Sequence, residues 1–191
     1  SMKDGASADI DPVTSPRFDN TEDARGDYFI NIHNLTGSAY NDTLIGDDTS
    51  TRTIGSRLDG SGGNDSITGY ATRNGLAAVI SDTLIGGAGD DRLAVILQKD
   101  IVLDALKDAP VSVEGGAGND TLILDRPRTS GVDYFQIDMN QGTVVYDWTT
   151  AKTILKFDPN GIENIEVAGS SNLRIYVTQN AANNVDAAAS R

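Results

Sequence analysis

The sequence predicts an all-β protein folded as a right-handed parallel β-roll, a solenoid of the β-helix type. Short apolar segments alternate with glycine-rich turns, and three glycines per repeat unit argue against helix because each costs about 1 kcal/mol relative to alanine. A short strand and a longer turn fit one unit, so two units make one coil, and each coil buries its apolar residues only against its neighbours. Most of the apolar anchors lie nine residues apart, at Leu44, Leu58, Ile67, Leu76, Leu84, Leu93, Val102, Val113 and Leu122.

The turns between these anchors share a composition that suits a hard cation. Gly86–Asp91 reads GGAGDD, Gly115–Asp120 reads GGAGND, and Gly60–Asp65 reads GSGGND. Glycine enters positive-φ regions at little steric cost, so such a turn can direct several carbonyl oxygens into the gap between stacked coils. The final aspartate adds a carboxylate, and a flexible set of oxygen ligands without nitrogen or sulfur is what Ca²⁺ takes. Asp42 and Asp82 precede the same TLIG tail without most of the glycines, so for these two an ordinary turn remains an equal alternative.

The spacing of the turns predicts fewer bound ions than motifs. Each turn is half a site, and a complete site needs two turns on the same edge, one coil or about 18 residues apart. Asp65 and Asp82 are separated by 17 residues and Asp91 and Asp120 by 29, so the best turns are expected to fall out of stacking register. The insertion at 97–110 has apolar residues at helical spacing and is expected to form a helical turn.

The segments GGAGDDRLA and GGAGNDTLI match the nonapeptide G-G-x-G-x-D-x-U-x, and on these residues the chain resembles the RTX (repeats-in-toxin) family with its hemolysin-type repeats. The resemblance covers roughly residues 27–180, and it implies a calcium-binding β-roll in a bacterial protein exported by type I secretion. Carried over by position, it implies carboxylate ligands at Asp65, Asp91 and Asp120, with Asp42 and Asp82 as weaker candidates. The implied carbonyl and turn ligands are Gly60, Gly62, Asn64, Gly86, Ala88, Asp90, Gly115, Ala117 and Asn119.

Three regions are expected along the chain. Residues 1–26 have little apolar periodicity and predict a linker or lead-in; residues 27–180 predict the roll with its insertions; residues 181–191 predict a flexible tail. Within the roll, the segment 131–178 alternates apolar and polar residues without a metal-type turn. We therefore expect it to continue or cap the solenoid without calcium.

Composition and missing motifs narrow the possible functions. The net charge of −13, with 28 acidic against 15 basic residues, argues against nucleic acid, which is bound through Lys and Arg, and favours cations. No apolar run is long enough for a membrane span. The chain has no cysteine, no G-x-S-x-G elbow, no H-E-x-x-H zinc helix and no phosphate-binding loop, so no catalytic residue and no organic cofactor is predicted. An Asp158-Pro159 bond that cleaves itself on calcium binding is the one enzymatic alternative.

These observations predict a non-catalytic, secreted, extracellular Ca²⁺-binding domain, monomeric and part of a larger exported protein. An acidic chain repels itself where calcium is scarce and folds where calcium neutralises its carboxylates. The alternative is a polysaccharide- or cell-surface-binding module in which the roll is the scaffold and the segment 131–178 binds the ligand. In that reading, the aromatic residues Tyr146 and Trp148 could stack on a sugar.

Overall fold

The computed structural model describes residues 7–9, 32–48, 52–74, 78–98, 109–126, 133–146, 152–168, 173–178 and 184–187. These residues contain strands and turns and no helix. The strands are β1 (Ser7–Asp9), β2 (Asn34–Thr36), β3 (Thr43–Ile45), β4 (Arg57–Gly62), β5 (Ser66–Asn74), β6 (Ala78–Ser81), β7 (Thr83–Ala88), β8 (Arg92–Leu97), β9 (Val111–Ala117), β10 (Thr121–Asp125), β11 (Asp133–Asp138), β12 (Thr143–Tyr146), β13 (Lys152–Phe157), β14 (Asn164–Ala168), β15 (Leu173–Thr178) and β16 (Asn184–Ala187).

The strands form two sheets, and the chain passes alternately from one to the other. Sheet 1 has the order β1-β3-β5-β8-β10-β14-β16, with β6 paired to β5, and sheet 2 has the order β15-β11-β12-β13-β9-β7-β4-β2. Strands from successive coils pair in parallel, as β5 with β8 and β8 with β10. The predicted all-β parallel β-roll is confirmed by this topology.

The core is built from columns of apolar side chains, with one long column from each sheet facing the other. In sheet 1, Leu44, Ile67, Leu93 and Leu122 are in register and have no exposed side-chain surface. Along β8 and β10, buried and partly exposed residues alternate, because successive side chains point to opposite faces. The facing column of sheet 2 consists of Leu35, Leu58, Leu84, Val113 and Phe157.

The expectation that the best glycine turns fall out of stacking register is wrong. Ser61 pairs with Gly87, and Gly87 pairs with Gly116, so the three turns stack directly on one another. The coils contain more than the expected length of about 18 residues. Their additional residues are inserted at the other edge of the roll, where the chain returns from sheet 1 to sheet 2. The hairpin of β5 and β6 is one such excursion.

Strands also occur outside the region where the sequence predicts order. Ser7–Asp9, within the predicted lead-in, pair with Thr43–Ile45, and Asn184–Ala187, within the predicted tail, pair with Asn164–Val167. Both segments extend sheet 1, since parallel pairing needs only a short extended backbone. Most of the 97–110 insertion, including its expected helical turn, and Trp148 lie outside the described residues.

The segment 131–178 contributes strands to both sheets. The strands β11, β12 and β13 form an antiparallel meander in sheet 2, and β13 also pairs in parallel with β9. Phe135, Ile137 and Val144 are fully buried, and the ring of Phe135 packs against that of Tyr146 at 6.1 Å between centroids. The meander therefore covers the core at the end of the glycine-turn stack.

Candidate metal site

Five acidic side chains form a column along the edge where the chain passes from sheet 2 to sheet 1, which we call the glycine edge. The first four residues of the column each donate their backbone N–H to the carboxylate of the next coil. Asp42 donates to Asp65 at 2.7 Å, Asp65 to Asp91 at 2.7 Å, Asp91 to Asp120 at 2.8 Å and Asp120 to Glu163 at 2.8 Å. We call these five residues the carboxylate column, and it brings four of the sequence-predicted aspartates together.

Three members of the column keep their Oδ2 atom without a hydrogen-bond partner. The Oδ2 atoms of Asp65, Asp91 and Asp120 are buried and accept no hydrogen bond. All three side chains are nearly inaccessible to solvent. Leaving a buried polar atom unpaired costs about 1–3 kcal/mol, and more when the group is charged. Three unpaired carboxylate oxygens on one edge indicate that a positively charged group is needed to neutralise them.

The glycines at the start of each turn leave the space into which these oxygens point. A Cβ atom on Gly60 would collide with Asp65 Oδ2 and lie 2.6 Å from the carbonyl oxygen of Gly86 in the next coil. A Cβ atom on Gly86 would likewise collide with Asp91 Oδ2 and lie 2.5 Å from the carbonyl oxygen of Gly115. Two oxygens that face the same space without a hydrogen between them favour a cation.

A second column ties the turns together on their exposed side. Asn64 donates its backbone N–H to the side chain of Asn41, Asp90 donates to Asn64, and Asn119 donates to Asp90, at 2.7–2.9 Å. These donations run toward the preceding coil, whereas those of the carboxylate column run toward the following one. The side chains of Asn64 and Asp90 therefore hold the turns in register.

Two of the sequence-predicted carbonyl ligands also hydrogen-bond between coils. Ala88 accepts the N–H of Gly63, and Ala117 accepts the N–H of Gly89, each at 2.8 Å. A carbonyl oxygen has two lone pairs, so these bonds leave one available on each. At Gly62, the remaining predicted turn residue, an added Cβ would make only ordinary contacts, the nearest at 3.7 Å to the carbonyl oxygen of Ala88.

The carboxylates are held where ionisation is unfavourable. Burial raises the pKa of Asp65 to about 6 and that of Asp91 to about 7, and it also raises the pKa of Asp120. Backbone N–H donors oppose this effect on each pKa, whereas neighbouring carboxylates, such as Asp65 and Asp120 around Asp91, add to it. A bound divalent cation would offset both the burial and the repulsion.

In the first turn of the column, which ends at Asp42, hydrogen bonds from within the turn already satisfy one carboxylate oxygen. Asp42 Oδ2 accepts the backbone N–H of Ser38 at 2.5 Å and the Ser38 hydroxyl at 3.0 Å, and only its Oδ1 is unpartnered. In the other turns, glycine or serine residues make no comparable bond to Oδ2. Asp42 thus lies in the column but has less need of a cation than its neighbours.

The structure places Asp82 on the opposite edge, away from the column. Its Oδ1 accepts Arg52 Nη1 at 2.6 Å and the N–H of Ser56 at 2.7 Å, and its Oδ2 accepts the N–H of Tyr70 at 2.7 Å. Both members of the Arg52–Asp82 ion pair are buried. The guanidinium already neutralises this carboxylate, so the geometry differs from the sequence-based interpretation of Asp82 as a calcium ligand.

The sequence reasoning missed Glu163, which ends the carboxylate column. Its turn, Asp158–Glu163, reads DPNGIE and lacks the glycine motif. Its sixth residue is acidic and precedes the apolar strand β14, as in the other turns. An acidic residue directly before an apolar strand, even without the glycine motif, is the sequence signal that could have identified Glu163.

The donor set fits calcium better than other metals. Each gap between turns offers a single carboxylate and backbone carbonyls, and no cluster of three or more His, Cys, Asp or Glu suited to a metal occurs in the described parts of the chain. Oxygen-only sites rich in carbonyls suit Ca²⁺, whereas Zn²⁺ takes nitrogen and sulfur. The unpartnered Oδ2 atoms and the glycine gaps are therefore consistent with Ca²⁺ between the turns.

Comparison with known proteins supports this chemistry. A model of the RTX calcium-binding nonapeptide repeat matches four copies, at residues 34–49, 56–74, 81–94 and 112–126. No curated protein and no solved structure gave a significant match. RTX repeats bind Ca²⁺ as structural elements, so the chain contains a calcium-binding repeat domain. A helix long and apolar enough to cross a membrane does not occur in the residues that the structure describes.

Proposed function

Since this chain carries the calcium-binding repeats of the RTX family, we propose that it is a non-catalytic domain that folds on calcium after export, within a larger secreted bacterial protein. The observation that carries the proposal is the set of buried, unpartnered Oδ2 atoms at Asp65, Asp91 and Asp120. Without a cation these oxygens oppose folding, and with one they favour it.

The proposed ligands are the Oδ2 atoms of these three aspartates and the turn carbonyls around them. The Asp65 site lies between the turns 60–65 and 86–91, and the Asp91 site lies between the turns 86–91 and 115–120. Asp42 contributes less, because Ser38 occupies its Oδ2. Asp82 contributes no ligand, because Arg52 neutralises it.

Coupling to export follows from the difference in calcium between the two sides of the cell envelope. With a net charge of −13, the calcium-free chain repels itself and remains expanded. Calcium outside the cell neutralises the column, and because no preformed site exists in the unfolded chain, its binding free energy becomes folding free energy.

Circular dichroism of the chelator-treated chain during a calcium titration tests this function. We expect a disordered spectrum without calcium and a β-sheet spectrum with it. Mg²⁺ at equal concentration is the control and should be much less effective, because it dehydrates reluctantly and demands octahedral geometry. An unchanged β-sheet spectrum in chelator and in calcium would contradict the proposal.

A second candidate, a polysaccharide-binding module, has one observation in its favour. An open groove on sheet 2 brings the segment 131–178 next to β9, and it is lined by Ser112, Val113, Glu114, Lys156, Phe157 and Asp158. Its mixture of polar and apolar groups resembles what a sugar contacts. Glycan or alginate pull-down with and without Ca²⁺ tests it, and Lys156→Ala should reduce any binding.

A further inference from the structure

The turn Asp158–Glu163 stacks directly on the turn Gly115–Asp120, although it lies outside all four matched repeats. Glu163 and Asn164 donate their backbone N–H groups to the carbonyl oxygen of Asp120, at 3.2 and 3.0 Å. Asp120 in return donates its N–H to Glu163. Forty-three residues separate the two acidic residues, yet the contact repeats that between Asp91 and Asp120.

This turn also places an oxygen where the glycine turns place theirs. The carbonyl oxygen of Gly161 lies against the position that a Cβ of Gly115 would occupy, and Asp120 Oδ2 is 2.7 Å from the same position. The carbonyl of Gly115 holds the equivalent place in the preceding gap. A tight turn, in which Gly161 donates its N–H to the carbonyl of Asp158 at 3.2 Å, brings the Gly161 carbonyl there.

We propose that the gap between these two turns is a calcium site, completed by a turn that has no repeat motif. Asp120 Oδ2, buried and without a partner, and the Gly161 carbonyl converge on it. Glu163 is a positioning residue: by accepting the Asp120 N–H it holds the two turns together. This inference rests on the proposed function, and it assigns the site of Asp120 to a contact between segments far apart in sequence.

Two variants of the full chain test the site by the number of Ca²⁺ ions bound in a calorimetric titration. In Gly161→Ala, the added Cβ would lie 2.8 Å from the backbone nitrogen of Gly116, so the turn must move away. Glu163→Ala removes the acceptor of the Asp120 N–H without adding an atom. We expect each variant to bind one ion fewer than wild type, or to bind one ion at least tenfold more weakly.

One substitution serves as the control. Glu114→Gln removes an exposed negative charge beside the same turn and adds no bulk. It should leave the number of bound ions unchanged. If Gly161→Ala does not fold, Glu163→Ala carries the test alone.

The outcomes separate this inference from the proposed function. If wild type binds calcium and both variants bind the same number of ions with the same affinity, the inferred site is wrong and the other sites stand. If wild type binds no calcium, the proposed function itself fails.

Discussion

At the residue scale, the aspartates of the glycine edge have two oxygens with different tasks. In Asp91, Oδ1 accepts the N–H of Asp65 and sets the stacking of the coils, whereas Oδ2 is left for a cation. An asparagine can perform the first task but not the second, because its amide oxygen accepts a hydrogen bond but the side chain has no charge.

This division predicts opposite effects of Asp91→Asn with and without calcium. In chelator, the variant should show at least as much β-sheet signal as the largely disordered wild type, since a buried charge is removed. In calcium at a hundredfold excess over its dissociation constant, one lost ion removes about 2.7 kcal/mol, so the melting temperature should fall by roughly 5–10 °C. Circular dichroism in chelator and a thermal melt in calcium measure the two effects.

Asp90→Asn is the matched control for Asp91→Asn. Asp90 is exposed, and its Oδ1 accepts the N–H of Asn119, a bond that asparagine can keep. Its calcium-dependent rise in melting temperature should equal that of wild type. Equal losses in the two variants would show that general charge, not the unpartnered Oδ2, controls the response.

The raised pKa values predict that the calcium-free domain loses stability as pH rises. The pKa of Asp65 is raised to about 6 and that of Asp91 to about 7, chiefly by burial, above an unfolded value of about 3.9. Between about pH 4 and pH 7 the folded chain therefore binds more protons than the unfolded chain, and its stability decreases with pH. Circular dichroism in chelator at pH 5 and pH 7.5 measures the difference, as a larger β-sheet signal at pH 5.

The same titration should weaken calcium binding in acid, because protons and Ca²⁺ compete for the same carboxylates. The apparent affinity should fall as pH decreases from 7.5 to 5.5. Asp91→Asn should show a smaller pH dependence of calcium-free stability than wild type. A wild-type stability that rises with pH over this range would contradict the burial argument.

At the element scale, the two edges of the roll differ in how they satisfy buried carboxylates. The glycine edge leaves oxygens for an external cation, whereas on the opposite edge Arg52 is a built-in cation for Asp82. Arg52 also donates to Thr72 Oγ1 at 2.8 Å and to the carbonyl oxygens of Tyr70 and Ile80 at 2.7 and 3.1 Å. It therefore joins the β5–β6 hairpin to the coil before it.

Arg52→Met should destabilise the calcium-bound domain by the same amount at two different calcium concentrations. Breaking a buried ion pair costs about 3–5 kcal/mol, because Asp82 is left charged and unpaired. Calcium stoichiometry should not change, since this edge holds no proposed ion. Urea unfolding at the two calcium concentrations, with a calorimetric titration, measures both quantities.

Arg57→Met is the control for Arg52→Met. Arg57 pairs with Asp59 at 2.9 Å, but its side chain is 47% exposed, and exposed pairs contribute about 0–1 kcal/mol. A loss of stability in Arg52→Met that grows with calcium concentration would show that Asp82 belongs to a metal site after all.

At the scale of the whole molecule, stability depends on closing the end of the solenoid. The strands β13 and β14 cover β9 and β10, and the meander continues sheet 2 beyond them. Val111, Val113 and Leu124 are fully or almost fully buried at this end. An open edge strand with apolar residues beside it is a template for pairing with another chain.

Truncation after Arg126 should therefore cause aggregation while leaving part of the calcium binding. The Asp65 and Asp91 sites keep both of their turns, but the Asp120 site loses Gly161. Light scattering and a calcium titration of the truncated chain, beside the full chain, measure the two effects. A truncated chain as soluble and stable as the full one would contradict the capping role of 131–178.

The sequence by itself was sufficient for the fold class, for the buried anchors among the described residues and for the chemistry of the turns; the predicted anchors Leu76 and Val102 lie outside the described residues. Leu44, Ile67, Leu84, Leu93 and Leu122 are inside as predicted, because a repeated pattern of apolar anchors and glycine turns is a local property that the chain carries wherever it folds. The repeat motif also indicates the oxygen-only donor set, since each turn contains its own glycines and carboxylate.

Only the tertiary structure decided which turns meet. Spacing along the chain suggested that the best turns miss one another, yet Asp65, Asp91 and Asp120 stack because the inserted residues leave from the opposite edge. Asp82 and Glu163 both show that sequence spacing is not sufficient. Asp82 precedes the TLIG sequence of the repeats but pairs with Arg52, whereas Glu163 follows no glycine motif but lies at the end of the carboxylate column. Metal gaps form between coils, and sequence spacing cannot specify neighbours across coils whose insertions vary in length.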